Sequence, residues 1–210
     1  MVTIPVGSAS LAGHWVIPPA ATGLVLFAHG SGSSRYSPRN RYVAEVLQAS
    51  GLATLLFDLL TQEEEAIDRQ TRHLRFDMGL LTDRLIGITD WVAHNPATQG
   101  LKIGYFGAST GSAAALLAAA ARPYAIHAIV SRGGRPDLAR AALAQVKAPT
   151  LLIVGGLDSL VLTLNQQAYR CLAGEKRLEI VPGATHLFEE PGTLEKVAQL
   201  ASQWFGQYLT

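Results

Sequence analysis

The chain has 210 residues, 49% hydrophobic and 16% charged, a balance that excludes a disordered chain and gives one domain enough apolar material for a core. Seventeen basic residues against 16 acidic ones leave a formal charge of +1, which excludes a strong electrostatic pull towards nucleic acid or an anionic membrane. Cys171 is the only cysteine, so no internal disulfide can form and a reducing, cytoplasmic setting is expected.

The first residues, Met1-Val2-Thr3-Ile4-Pro5, lack the basic start and long apolar core of a signal peptide. Two short strands are expected at Val2–Val6 and His14–Ile17, too close together for a helix between them and therefore antiparallel. Six apolar runs follow: Gly23–Ala28, Leu52–Phe57, Leu101–Phe106, Ile126–Ser131, Thr150–Val154 and Leu178–Val181. Their near-continuous hydrophobicity is that of strands covered on both faces, as in a parallel sheet. Between them lie helical patterns. Leu81, Leu85, Ile88 and Val92 fall on one face of a helix over Phe76–His94, which Asn95-Pro96 closes. The stretch Leu160–Leu172 reads as a helix, and Leu194, Val197, Ala201, Phe205 and Tyr208 mark one near the end. The apolar run Ala113–Ala121 is too short and alanine-rich to span a bilayer. Strand–helix alternation without repeat or linker predicts a doubly wound α/β sheet in a single domain over 1–210. Ligands of such sheets bind beyond the carboxyl ends of the strands, which directs attention to the short segments after each run.

After Leu101–Phe106 comes Gly107-Ala108-Ser109-Thr110-Gly111 and then a helical alanine run, a G-x-S-x-G turn between strand and helix. Such a turn lifts a serine hydroxyl above the sheet at a helix N-terminus, where negative charge is favoured. Taken alone it also reads as a glycine-rich turn in which Ser109 or Thr110 caps the helix. A serine hydroxyl needs a base. Two later segments supply candidates in the order nucleophile, acid, histidine: Asp158 after Thr150–Val154, and His186 after Leu178–Val181. His186 would take the Ser109 proton, and Asp158 would hold its imidazole in the correct tautomer. Alone, Asp158 reads equally well as a helix N-cap and His186 as a loop residue; their joint arrival past different strands favours the triad. The backbone N–H of Thr110 and that of Ser31, in the His29–Ser34 loop, are the expected oxyanion donors, with Gly32 the rival to Ser31 and His29 fixing the loop. His14, His73, His94 and His127 are weaker candidates, no grouping of ligands suggests a metal, and Cys171 reads as core filler.

The loops around His29-Gly30, Gly107–Gly111, Gly155–Asp158 and Gly183–His186 together resemble the α/β-hydrolase superfamily, in particular its dienelactone-hydrolase-like branch, over nearly the whole chain from Gly23 onwards. The resemblance implies an eight-stranded, mostly parallel sheet with helices on both faces, and hydrolysis of an ester-like bond without a cofactor. Dienelactone hydrolase proper carries a cysteine where Ser109 stands and a glutamate where Gly30 stands, which points to a general carboxylesterase. Acyl transfer, peptide hydrolysis and a non-catalytic binding protein of the same fold are the alternatives. Arg132–Pro149 is too short for a lid domain, so a shallow pocket and small ester substrates are expected. Arginine forks suit anions, and Arg35 and Arg132 are candidates for an anionic substrate group; the competing reading pairs these arginines with Asp58, Asp137 or Glu63–Glu65. No nucleic-acid or membrane partner is expected.

Overall fold

The computed structural model describes residues 1–210. Eight strands form one sheet: β1 (Val2–Val6), β2 (Ala9–Val16), β3 (Gly23–Ala28), β4 (Ala53–Phe57), β5 (Lys102–Ala108), β6 (Ile126–Arg132), β7 (Thr150–Gly155) and β8 (Lys176–Val181). Their order across the sheet is β1-β2-β4-β3-β5-β6-β7-β8. β2 runs antiparallel to β1 and to β4, and the remaining pairings are parallel. β2 starts at Ala9 rather than His14, because Gly7 at φ 58° turns the chain tightly enough for β1 and β2 to pair as a hairpin.

The six helices are α1 (Pro38–Ala49), α2 (Gln62–Thr71), α3 (Met78–His94), α4 (Thr110–Ala121), α5 (Ser159–Cys171) and α6 (Thr193–Tyr208). Every residue of β3, β4 and β7 is buried. Within β3 the two-residue period divides the side chains between two cores. Leu24, Leu26 and Ala28 join Leu81, Leu85 and Ile88 of α3 and the alanines of α4. Val25 and Phe27 join Val43 and Leu47 of α1 and Val197, Trp204 and Phe205 of α6. β3 thus holds helices on both faces, which is why its sequence carries no polar side.

Two helices open on well-defined N-caps. α1 starts at Pro38, with Ser37 as N-cap accepting the Asn40 N–H at 3.3 Å, so Arg39 and Arg41 are helical. α2 is opened by a reciprocal cap. Thr61 Oγ1 accepts the Glu64 N–H at 3.2 Å, and Glu64 Oε2 accepts the Thr61 N–H at 2.8 Å. The acidic run Glu63–Glu65 is therefore a helix start. Cys171 ends α5 exposed, not in the core; the face of that helix buried against the sheet carries Val161, Asn165 and Ala168. No helix is long and apolar enough to cross a membrane.

Candidate active site

The carboxyl edge of the parallel strands gathers the His29–Ser34 loop after β3, Asp58 after β4, Ser109 after β5, Arg132 at the end of β6, Asp158 after β7 and His186 after β8. Ser109 has φ 49° and ψ −119°, a conformation that costs a non-glycine residue about 1–3 kcal/mol and persists only where its surroundings impose it. The flanking glycines are that imposition. A Cβ on Gly107 would lie 2.5 Å from Ser112 Cα, and one on Gly111 would lie 2.2 Å from the Ala28 carbonyl oxygen. The turn is also tied to β6 and beyond: the Ser109 N–H donates to the Arg132 carbonyl at 3.2 Å, and the Ser109 carbonyl accepts the Arg135 N–H at 3.1 Å.

Asp158 and His186 meet because their loops are stitched together. The Gly156 N–H donates to the Val181 carbonyl and the Leu157 N–H to the Ala184 carbonyl, both at 2.9 Å. His186 Nδ1 lies 2.6 Å from Asp158 Oδ2. A carboxylate at that distance places the proton on Nδ1 and leaves Nε2 as the acceptor. The histidine loop has a brace of its own: Glu190 accepts the Thr185 hydroxyl at 2.6 Å and the Thr185 N–H at 3.1 Å. Those bonds hold the Glu190 carboxyl below its usual range. This brace had no sequence signature, since a threonine and a glutamate five residues apart are unremarkable outside a helix start. The strand-end loop Arg132–Arg135 touches both halves of the arrangement. It bonds Ser109 through its backbone, and a Cβ on Gly133 would lie 3.2 Å from the His186 carbonyl and 3.4 Å from its Nδ1.

The donors near Ser109 differ from expectation in one position. The Thr110 N–H, at the first turn of α4, bonds no protein acceptor. The Ser31 N–H is already engaged, donating to Thr110 Oγ1 at 2.8 Å. The Gly32 N–H, at φ 69°, is unengaged, as are those of Gly30 and Ser34. The Thr110 side chain redirects Ser31, an outcome set by one rotamer and invisible in the loop's own sequence. Gly30 brings the loop close, since a Cβ there would lie 3.1 Å from Ser109 Cβ. His29 fixes it: Nε2 accepts the Leu59 N–H at 3.1 Å and Nδ1 donates to the Gly30 carbonyl at 2.9 Å. Burial lowers its pKa, so the ring is neutral. Arg75, which no motif marked, packs beside the same loop. Its Nε donates to buried Asp68 Oδ2 at 2.5 Å, and its Nη1 would lie 3.2 Å from a Cβ on Gly32.

The two arginine candidates part company. Arg35 is taken by Asp58, which accepts its Nη1 and, at 2.7 Å, its backbone N–H, while Nη2 donates to Tyr36 Oη at 2.7 Å. Its charge is paired inside the protein, as the competing reading had it, although Arg35 still lines the neighbouring cleft. Arg135 is likewise held by Asp137 at 2.8 and 2.9 Å. Arg132 is buried and enters no ion pair. Beside the His29 loop an open cleft of about 820 Å³ is lined by Gly32, Ser33, Ser34, Tyr36, Asp58 and Thr61 among others, three of its 17 residues being hydrophobic.

A mostly parallel eight-stranded sheet in this order, flanked by helices on both faces and carrying a serine on a sharp turn between its fifth strand and the next helix, is an α/β-hydrolase fold. The family model of the dienelactone hydrolase family matches residues 12–209, and the chain belongs to that family. It is 68% identical to a dienelactone hydrolase from Anabaena variabilis whose crystal structure superposes with a TM-score of 0.98, covering 100% of this chain and 97% of that one. Est1E from Butyrivibrio proteoclasticus shares the fold at 17% identity and a TM-score of 0.82, over 98% of this chain and 97% of its own. A Mycobacterium tuberculosis protein named "Putative phosphoribosyl transferase" is 58% identical over 208 residues, 99% of this chain and 46% of that protein. The chain thus spans about half the length of the curated relatives it matches first.

Proposed function

We propose that the chain is a serine hydrolase of small carboxylic esters, lactones and thioesters included, working through an acyl-enzyme on Ser109. The reading rests on the 2.6 Å contact between His186 Nδ1 and Asp158 Oδ2, at the edge of the sheet where the strained Ser109 turn also emerges. His186 Nε2 takes the Ser109 hydroxyl proton as Oγ bonds the substrate carbonyl carbon. The oxygen of the tetrahedral intermediate is met by the N–H groups of Thr110 and Gly32. Collapse expels the alcohol, which leaves with the proton from His186. Water repeats the sequence and frees the acid. Membership of the dienelactone hydrolase family and the Anabaena relative support hydrolysis. The transferase name belongs to proteins more than half of whose length lies outside the match, so it supplies no chemistry for this region.

The polar, open cleft beside the oxyanion loop offers no apolar tunnel for a long acyl chain. Short-chain p-nitrophenyl esters should therefore be hydrolysed faster than long-chain ones; the reverse order rejects the substrate class. A fluorophosphonate probe should label Ser109, and the label should vanish in Ser109→Ala. A folded wild-type protein that takes no label would instead be a binding protein on this fold.

A further inference from the structure

Asp68 and Arg132 are the Asp, Glu, Lys or Arg side chains buried in the molecule; Asp68 is paired with Arg75, and Arg132 has no carboxylate. Arg132 is 7% exposed, and its Nε and Nη1 are closed off from solvent without a hydrogen-bond partner. The guanidinium carbon lies 5.9 Å from the centre of the Phe188 ring, a contact that satisfies none of its N–H groups. Two of the three guanidinium nitrogens are thus out of water with no acceptor, a costly arrangement for a cation. Burial, and repulsion by Arg39, lower its pKa to about 10, which still leaves it charged at neutral pH.

Its surroundings are cationic rather than acidic. Arg39, second residue of α1, has a buried Nε that also lacks a partner. Its Nη1 faces outward to Glu189 at 3.1 Å, a carboxylate whose side chain is 65% exposed. Asn40, the next residue, is buried. The Arg39 N–H is one of the unpaired first-turn amides of a 12-residue helix, whose N-terminal pole favours negative charge. Two guanidinium groups with buried N–H groups that lack an acceptor, one of them on the first turn of a helix and felt by the other, make a set of donors. Fork-like donors of this kind match the oxygen pairs of carboxylates and phosphates.

We propose that Arg132, Arg39 and the N-terminus of α1 form a binding site for a small oxyanion, a carboxylate or a phosphate. The site touches both sides of the catalytic edge. The Arg132 carbonyl accepts the Ser109 N–H, and its side chain lies over Phe188, two residues past His186. The anion is carried either by the substrate or by a separate small ion. Its binding rests on the orphaned donors and holds whether or not Ser109 is the nucleophile.

The test is thermal unfolding of the full chain at pH 7.5 and fixed ionic strength, in chloride, in phosphate and in succinate, for wild type, Arg132→Gln and Arg39→Gln. A ligand bound only by the folded state raises the midpoint with concentration until saturation. The wild type should gain several degrees in at least one oxyanion, Arg132→Gln should lose that gain, and Arg39→Gln, altered at a more exposed position, should reduce it even where Arg132→Gln folds poorly. No saturable gain in the wild type, or an equal gain in a folded variant, overturns the site. The source is read from the ratio of kcat/KM for monomethyl succinate to that for methyl butyrate. A substrate-borne anion makes the ratio fall at least tenfold in Arg132→Gln; a separate ion leaves the ratio unchanged while phosphate still stabilises the wild type. Fluorophosphonate labelling of Ser109, run on the same samples, reports the nucleophile independently of the anion.

Discussion

Replacing Gly111 by alanine tests the claim that backbone crowding holds the serine turn in its strained shape. The new Cβ would lie 2.2 Å from the Ala28 carbonyl oxygen and 2.5 Å from that of His29, both backbone atoms that cannot rotate away. An ordinary contact begins near 3.4 Å, so the turn and the β3 end must separate by about 1 Å. Overpacking of this kind costs about 1–3 kcal/mol. A misplacement of about 1 Å at a reacting group costs on the order of a hundredfold in rate. Gly111→Ala should therefore remain folded, lose about 1–3 kcal/mol in urea unfolding, and lose about a hundredfold in kcat/KM on p-nitrophenyl acetate. Gly206→Ala, on α6 with nothing within 4 Å of the added Cβ, is the control and should gain about 0.5–1 kcal/mol at unchanged activity. Wild-type kcat/KM in Gly111→Ala refutes the steric argument, because the carbonyls would then have moved without disturbing Ser109.

Asp158→Asn should lower kcat by about 10³–10⁴-fold with a far smaller change in KM, since an amide can no longer hold the His186 proton on Nδ1; steady-state kinetics on one ester decides it, and a tenfold loss would leave Asp158 no more than a loop contact. Tyr105 and Thr89 form a buried pair at 2.6 Å, and Thr89 Oγ1 has a second bond, at 2.8 Å, to the Leu85 carbonyl. Tyr105→Phe leaves Thr89 satisfied and should cost about 0.5–1.5 kcal/mol, whereas Thr89→Val strands the tyrosine hydroxyl and should cost about 1–3 kcal/mol; equal losses in urea unfolding would contradict the asymmetry. Burial depresses the pKa of His29 below its ordinary 6.5, so the unfolded chain binds its proton first as the pH falls. The stability this neutral ring contributes is whole above pH 6.5 and declines as the pH drops from there towards the folded value. His14 is also lowered, chiefly by burial, and adds to the same window. Unfolding free energies at pH 7.5 and 5.5 should thus differ less in His29→Gln than in the wild type.

The strands were legible because burial on both faces writes itself as an unbroken apolar run, and β3 is bounded as its six residues predict. The places of Ser109, Asp158 and His186 at the carboxyl edge of the sheet were legible because each lies in the segment just past such a run. What lay outside the sequence was anything decided by a neighbour across the sheet. Ser31 has the right place in its loop, yet a hydroxyl from Thr110, 79 residues away, takes its N–H. The Asp158–His186 contact needs β7 and β8 adjacent, and the 2.9 Å bonds between their loops show how that adjacency is used. The start of α2 is likewise set by a cap, between Thr61 and Glu64, that forms only once the chain is folded.

Arg35 and Arg132 show most directly why such signals run out. Both arginines stand at or just after the end of a parallel strand, and charge alone gave them the same standing. β3 pairs with β4, so the loop after β3 finds Asp58 at the end of its neighbour and Arg35 is neutralised there. β6 lies between β5 and β7. Val130, two residues before Arg132, packs in the core formed with α1 and α6, and strand alternation puts the Arg132 side chain on that same face. What α1 offers at that height is Arg39 rather than an acid, and no ion pair forms. Arg132 Nε and Nη1 thus find no acceptor inside the chain, and the position of β6 in the sheet, more than the arginine itself, leaves these donors for the proposed anion.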